Sequence, residues 1–171
     1  FVFDRYKRAR IRQYGSDLGD VRAPGDAGLV SVVLPAYNGG AMFHESVDSV
    51  LGQTYARLEL IIVNDGSTDG TGAAADNYAR RDPRVRVIHQ ANLRLPAALS
   101  AGMRLARGEF LTWTSCDNRW KPWCLQRLVD CLRRHPRWDM AYGNLDLIDE
   151  HGQPLRGSGH YASYQRPHGS E

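Results

Sequence analysis

Leu29-Val30-Ser31-Val32-Val33-Leu34, running straight into Pro35-Ala36-Tyr37-Asn38-Gly39-Gly40, decides the fold. A short, valine-rich apolar run of this kind is the signature of a strand buried on both faces, as in a parallel sheet. Pro35 stops the ladder, and the two glycines let the backbone turn and approach a neighbour closely. Downstream the pattern changes period. Phe43, Val47, Val50 and Leu51 repeat at helical spacing over about 41–52, with His44, Glu45 and Asp48 on the wet side. The alternation continues with a strand at 58–63, a helix at about 69–81, and a strand at 84–89 set off by Asp82-Pro83. Leu95, Ala98, Leu99, Gly102 and Ala106 mark a third helix, 109–114 a fourth strand, and Pro122 opens a helix to about 134. Residues 137–142 read as a fifth strand. This order predicts an α/β fold with a mostly parallel sheet and helices on both faces.

The chain has 171 residues, and its 22 Lys and Arg against 19 Asp and Glu leave a net charge of +3, too weak a basic balance to argue for a nucleic-acid partner. With 42% hydrophobic and 24% charged residues it is neither disordered nor of low complexity, and it is long enough to bury a core without a disulfide or structural metal. Cys116, Cys124 and Cys131 are odd in number and form no C-x-x-C pair, so reduced thiols are expected. The apolar runs at 29–34 and 58–63 are far below the roughly 18 residues of a spanning helix. No transmembrane segment is expected, and the localisation expected is cytoplasmic, with the inner face of a membrane left open. Three regions follow: a leader or linker at 1–28, a domain at 29–155 and an irregular tail at 156–171. The leader carries Arg5, Lys7, Arg8, Arg10 and Arg12 and reads as a solvated linker or a short basic helix. His151, His160 and His168 are too loosely spaced to argue a metal site.

In an open parallel sheet, ligands bind beyond the carboxyl ends of the strands. Three segments fall there. The first is 35–40, where Tyr37 can stack on a flat ligand and Asn38 can either contact it or cap the next helix. The second is Asn64-Asp65-Gly66-Ser67-Thr68-Asp69-Gly70-Thr71, which puts a carboxylate at the strand tip and small polar groups at a helix N-terminus. No lysine follows in the P-loop pattern, so an ATPase is not indicated. The third is Thr114-Ser115-Cys116-Asp117-Asn118, where Asp117 is a candidate ligand for a hard divalent cation, or with Asn118 a helix cap. Together they describe a nucleotide-diphosphate site with a metal-binding aspartate.

Segments 31–38 (SVVLPAYN), 46–55 (SVDSVLGQTY), 59–71 (ELIIVNDGSTDGT), 108–118 (GEFLTWTSCDN) and 142–154 (YGNLDLIDEHGQP) resemble family 2 of the inverting glycosyltransferases, which have the GT-A fold. The resemblance covers about 29–155. It implies that Pro35, Ala36, Tyr37, Asn38 and Asp65 bind the base and ribose of a UDP, GDP or dTDP sugar, and that Ser115, Cys116 and Asp117 complete the site. It implies Asp117 as the ligand of Mg²⁺ or Mn²⁺, with Ser115 and Asn118 standing where relatives carry two further acids. Relatives often have glycine near position 94, where this chain has Arg94, a residue that could reach diphosphate or lie exposed. The family's acceptor region and general base lie downstream of residues like Asp149, so the acceptor part is expected to be truncated here and the catalytic residues are not identified. The acceptor expected is a glycan, a lipid-linked glycan or a protein.

Two other readings compete. One is a catalytically silent nucleotide-sugar-binding module, suggested by Ser115 and Asn118. The other is single-strand nucleic-acid binding by Arg119, Lys121, Arg127, Arg133, Arg134 and Arg137 near Trp120, Trp123 and Trp138. The second is set aside because Trp120, Cys124, Leu128, Cys131 and Leu132 read more simply as a core-facing stripe with arginines outside.

Overall fold

The computed structural model describes residues 2–4, 25–143, 146–149, 153 and 155. The chain divides into two compact units, Phe1–Ala141 and Tyr142–Glu171. In the first, the elements run β1 (Val2–Asp4), β2 (Asp26–Ala36), α1 (Gly40–Leu51), β3 (Leu58–Asp65), α2 (Thr71–Arg81), β4 (Val85–Gln90), α3 (Arg94–Leu105), β5 (Gly108–Trp113), α4 (Cys124–Arg134) and β6 (Met140–Ala141). They form one sheet in the order β4-β3-β2-β5-β1-β6. The four strands from β4 to β5 are parallel, and β1 is antiparallel to both neighbours. The α/β fold with a mostly parallel sheet is therefore the one observed.

Because side chains alternate along a strand, β2 and β3 each serve two cores. Val30, Val32 and Leu34 with Leu58, Leu60 and Ile62 face the larger cluster, closed by Phe43, Val47 and Val50 of α1, Ala75 of α2, and Leu125, Val129 and Leu132 of α4. Val33, Ile61 and Val63 face the other side, where α3 supplies Ala98 and Leu99. Gly102 lets α3 lie close, since a Cβ there would press into Val33 and Val63. Helices thus cover both faces.

Four local readings are corrected. The stripe of α4 that meets the core is Leu125, Val129 and Leu132, with Trp120, Leu128 and Cys131 only partly buried against it. Pro122 does not open α4, which starts at Cys124; its carbonyl instead accepts the Thr54 N–H at 2.7 Å. The fifth strand shrinks to Met140–Ala141, because a turn closed by Trp138 N–H to the His135 carbonyl at 2.9 Å occupies the preceding residues. At the other end, Val2–Asp4 of the expected leader pairs with β5 and β6, and Val2 is fully buried. The rest of the proposed basic helix lies outside the described residues, as do the three tail histidines and residues 156–171.

In the second unit, Asp149 N–H donates to the Gln153 carbonyl at 2.9 Å, and Leu155 N–H to the Leu147 carbonyl at 3.0 Å. Residues 150–152 lie outside the described residues.

Candidate functional site

The three strand-end segments lie side by side. Register pairs Pro35 with Val63 and Ala36 with Asn64 across β2 and β3, and Val33 with Trp113 across β2 and β5. Tyr37, Asp65 and the 115–117 segment therefore leave the same edge of the sheet, Asp65 at the tip of β3 and Asp117 in the loop after β5, with β2 between these two strands.

Side chains tie the first two loops together. Asn38 N–H donates to Ser67 Oγ at 3.1 Å, and Asn38 Oδ1 accepts the Thr68 N–H at 2.8 Å. Gly39 N–H donates to Thr71 Oγ1 at 3.0 Å. Asp69 spans both helix starts, accepting Gly40 N–H at 3.3 Å on one oxygen and Thr71 N–H at 2.9 Å on the other. Hydrogen bonds from the Thr71 hydroxyl and amide hold its carboxyl below the usual aspartate range. Asn38 is accordingly no helix cap: the N-cap of α1 is Gly39, and Asn38 takes φ of +50°, which asparagine tolerates, to form this bridge.

Asp65 is 4% exposed at the tip of β3. Its Oδ1 accepts Gln90 Nε2–H at 2.7 Å and Leu93 N–H at 2.9 Å. No hydrogen bond among the described residues falls on Oδ2, so one acceptor of a fixed carboxylate remains for a ligand. Asn64 orders the following turn, its Oδ1 accepting Ser67 N–H at 3.1 Å. Its Nδ2 donates to His89 Nδ1 at 3.0 Å, which makes His89 Nε2 the donor to Asp76 at 2.9 Å. Gly66 takes φ of +74° with its Cα against the backbone of Asn92, a position where no side chain fits.

The third loop is held by α1. Ser46 Oγ donates to the Ser115 carbonyl at 2.9 Å, and Trp120 N–H donates to Ser49 Oγ at 3.1 Å. Cys116 points back toward the first loop, its sulfur beside Gly39 and hydrogen-bonded by the Tyr37 amide. Burial, helped by the charges of Asp117 and Asp69, pushes its thiol up, which disfavours the thiolate. All three cysteines are free. Asp117 is exposed, and no hydrogen bond to its carboxylate is found among the described residues. Nor do three His, Cys, Asp or Glu side chains gather into a metal cluster there. A single free carboxylate suits a cation that takes its remaining ligands from phosphate and water.

All eight expected site residues thus fall on one edge. Pro35 and Ala36 are buried within β2 and can offer only backbone, whereas Tyr37 is 48% exposed. Arg94 flanks the edge beyond Asp65 and is exposed, with φ of +70°. Sequence reasoning missed Gln53. Its buried amide donates to the Ser49 carbonyl at 3.0 Å and the Lys121 carbonyl at 2.8 Å, and accepts Leu125 N–H at 2.9 Å. It caps α4 from a distance and so fixes where the 115–123 segment ends; the signal was a glutamine standing just after a helix, inside the 46–55 segment that carries part of the family resemblance.

The profile of glycosyl transferase family 2 matches residues 31–169. The chain belongs to this family. It is 36% identical over 129 residues to a glycosyltransferase of Rickettsia felis, covering 75% of this chain and 21% of that protein. It is 38% identical over 123 residues to the glycosyltransferase GlyG of Streptococcus pneumoniae, covering 71% and 40%. The chain therefore spans well under half the length of these relatives. Among solved structures, the mannosyltransferase PcManGT of Pyrobaculum calidifontis, in complex with GDP-Man and Mn²⁺, has a TM-score of 0.57 and 26% identity over 75% of this chain and 38% of that one. Staphylococcus aureus TarS 1–349 in complex with UDP-GlcNAc has a TM-score of 0.58 at 23% identity, covering 63% of this chain and 32% of that one. The fold is the expected GT-A fold.

Proposed function

We propose that this chain is the donor-binding part of a glycosyltransferase that moves a sugar, with inversion, from a nucleoside-diphosphate donor to an acceptor hydroxyl on a glycan, lipid-linked glycan or protein. The observation that carries the reading is the pairing of a fixed carboxylate with one open oxygen, Asp65, and a free carboxylate, Asp117, on one strand-end edge. Asp65 Oδ2 accepts a base N–H, Tyr37 lies against the base, and the backbone of 35–38 lines the ribose side. Ser115 and Cys116 shape the floor between the two carboxylates. Asp117 holds Mg²⁺ or Mn²⁺, which when bound neutralises charge on the departing diphosphate. Domain 29–155 carries this site, and the protein works in the cytoplasm. No helix among the described residues is long and apolar enough to cross a membrane. Ser115 and Asn118, in place of acids, favour a second reading as a silent nucleotide-sugar-binding module.

Titration calorimetry with UDP, GDP and dTDP, each with and without Mn²⁺, tests the donor site. Asp65→Asn is the informative variant because its Oδ1 can still accept from Gln90 and Leu93 while the ligand-facing atom becomes a donor. The expected result is metal-dependent binding of one nucleotide, weakened at least tenfold in Asp65→Asn by loss of a charged hydrogen bond and losing its metal dependence in Asp117→Ala. Binding that ignores both substitutions would sink the proposal. Donor hydrolysis or transfer by the longer protein separates the enzyme from the silent module.

A further inference from the structure

The positive charge of this chain is concentrated in two short stretches, residues 5–12, which lie outside the described residues, and residues 119–138. Residues 119–138 hold six Lys or Arg against a single Asp, a net charge of +5, while the whole chain carries +3. The remainder is therefore slightly acidic. The same twenty residues contain three of the four tryptophans.

The fold sorts these residues by face. The inner stripe of α4, Leu125, Val129 and Leu132, is buried against the sheet. Arg133 is exposed but is engaged by Tyr55, donating to its Oη at 3.2 Å, and Arg119 is paired with Glu45. The outer stripe follows from helical spacing: Trp123, Arg127, Asp130 and Arg134 lie three or four residues apart. Asp130 is turned onto the Gln126 amide, which contacts both carboxylate oxygens at 2.9 Å. Arg127, Arg134 and Arg137 are exposed, and none of them has an ion pair among the described residues. Lys121 is exposed beside them. Trp123 and Trp138, at the two ends of the helix, are 44% and 48% exposed.

We infer that the outer face of α4 with its flanking residues, Trp123, Arg127, Arg134, Arg137 and Trp138, is a docking surface for an anionic phospholipid membrane. Exposed cations interspersed with indole rings match the headgroup layer, where lysine and arginine meet lipid phosphate and tryptophan sits at the polar–apolar boundary. The helix does not insert, because its apolar stripe already belongs to the core; attachment is peripheral, reversible and salt-sensitive. A nucleic acid fits less well. Base stacking needs open aromatic faces, yet Arg127 covers a face of Trp123 at 4.0 Å and His135 stacks on Trp138 at 4.0 Å and 13°. An indole at a lipid surface can meet the headgroups by its edge.

The test is co-sedimentation of the intact chain with vesicles of phosphatidylcholine alone and of phosphatidylcholine with phosphatidylglycerol, at low and high salt. Binding is expected only to the anionic vesicles and only at low salt. Neutralising Arg127, Arg134 and Arg137 together to Gln should lower the partition coefficient about a hundredfold, near fivefold for each cation. Arg80→Gln with Arg81→Gln, the same kind of change at the exposed end of α2, should leave it within a few-fold of the original. Trp123→Ser with Trp138→Ser should weaken binding without changing its salt dependence. The proposal is overturned if vesicles of both compositions bind alike or neither binds. It is also overturned if the α2 variant loses as much as the α4 variant, or if a thymidine oligonucleotide binds this face while anionic vesicles do not. All substituted positions are exposed, and an unchanged thermal melt for each variant excludes unfolding as the cause.

Discussion

Replacing Arg94 with glycine should stabilise the protein, although the change deletes a long side chain and adds no contact. Arg94 holds φ at +70°, where the Cβ of an L-residue crowds the following carbonyl at a cost of roughly 1–2 kcal/mol. Glycine removes that cost, while its freer unfolded chain gives back about 0.5–1 kcal/mol. The bond recorded for this residue, N–H to Asn92 Oδ1 at 3.3 Å, comes from the backbone and survives the substitution. The net gain is about 0.5–1 kcal/mol, or about 2–3 °C in Tm for a chain of this length. Urea unfolding should show a higher midpoint with an unchanged slope, since the buried surface is the same. Arg94→Ala is the control: it removes the side chain but keeps the Cβ, so it should gain nothing. If Arg94→Gly melts at or below the original, or if alanine gains as much as glycine, the strain argument is wrong.

Two further predictions concern stability. Gln53→Leu strands the Leu125 amide in a buried setting and withdraws a donor from two carbonyls, so it should cost at least about 3 kcal/mol in chemical denaturation, and a loss below about 1 kcal/mol would mean that water replaces the side chain. Glu59 supplies the pH dependence. Burial alone would raise its carboxyl, but hydrogen bonds from Ser31 and from the Arg107 amide and guanidinium, with the charge of Arg107, hold it below 4.5. A depressed carboxylate leaves the folded state with fewer bound protons than the unfolded one, so its contribution is complete above the unfolded value and fades as pH falls toward the folded one. The stability gap between the protein and Glu59→Gln should therefore be flat near neutrality and narrow below about pH 4.5. A gap independent of pH would refute the charge assignment.

The parallel strands were legible because a strand buried on both faces writes itself as a continuous apolar run, as at 29–34 and 58–63. β6 was not, because the residues before Met140 are held in a turn that hydropathy does not register. β1 was invisible for a different reason: three residues separated from β2 by more than twenty carry no period of their own, and only the sheet reveals that Val2 is core. In the site, strand-end residues could be found by topology alone, since the edge is fixed once the strands are. The ties between loops could not. Asn38 to Thr68, Asp69 to Gly40 and Gln53 to Leu125 each join residues about 30 or more apart, and local spacing offered Asn38 only a ligand or a helix cap as partners.

The short strand β1 also governs how the protein can be handled. It occupies the flank of β5, pairing Phe3 with Leu111 and Asp4 with Phe110. Trimming the chain to residue 25, as a reading of the first 28 residues as dispensable would invite, uncovers that flank. The unpaired backbone of Phe110 and Leu111, a hydrophobic stretch, then becomes a template for another molecule's strand. A shortened version should precipitate or self-associate for this reason even if its fold survives.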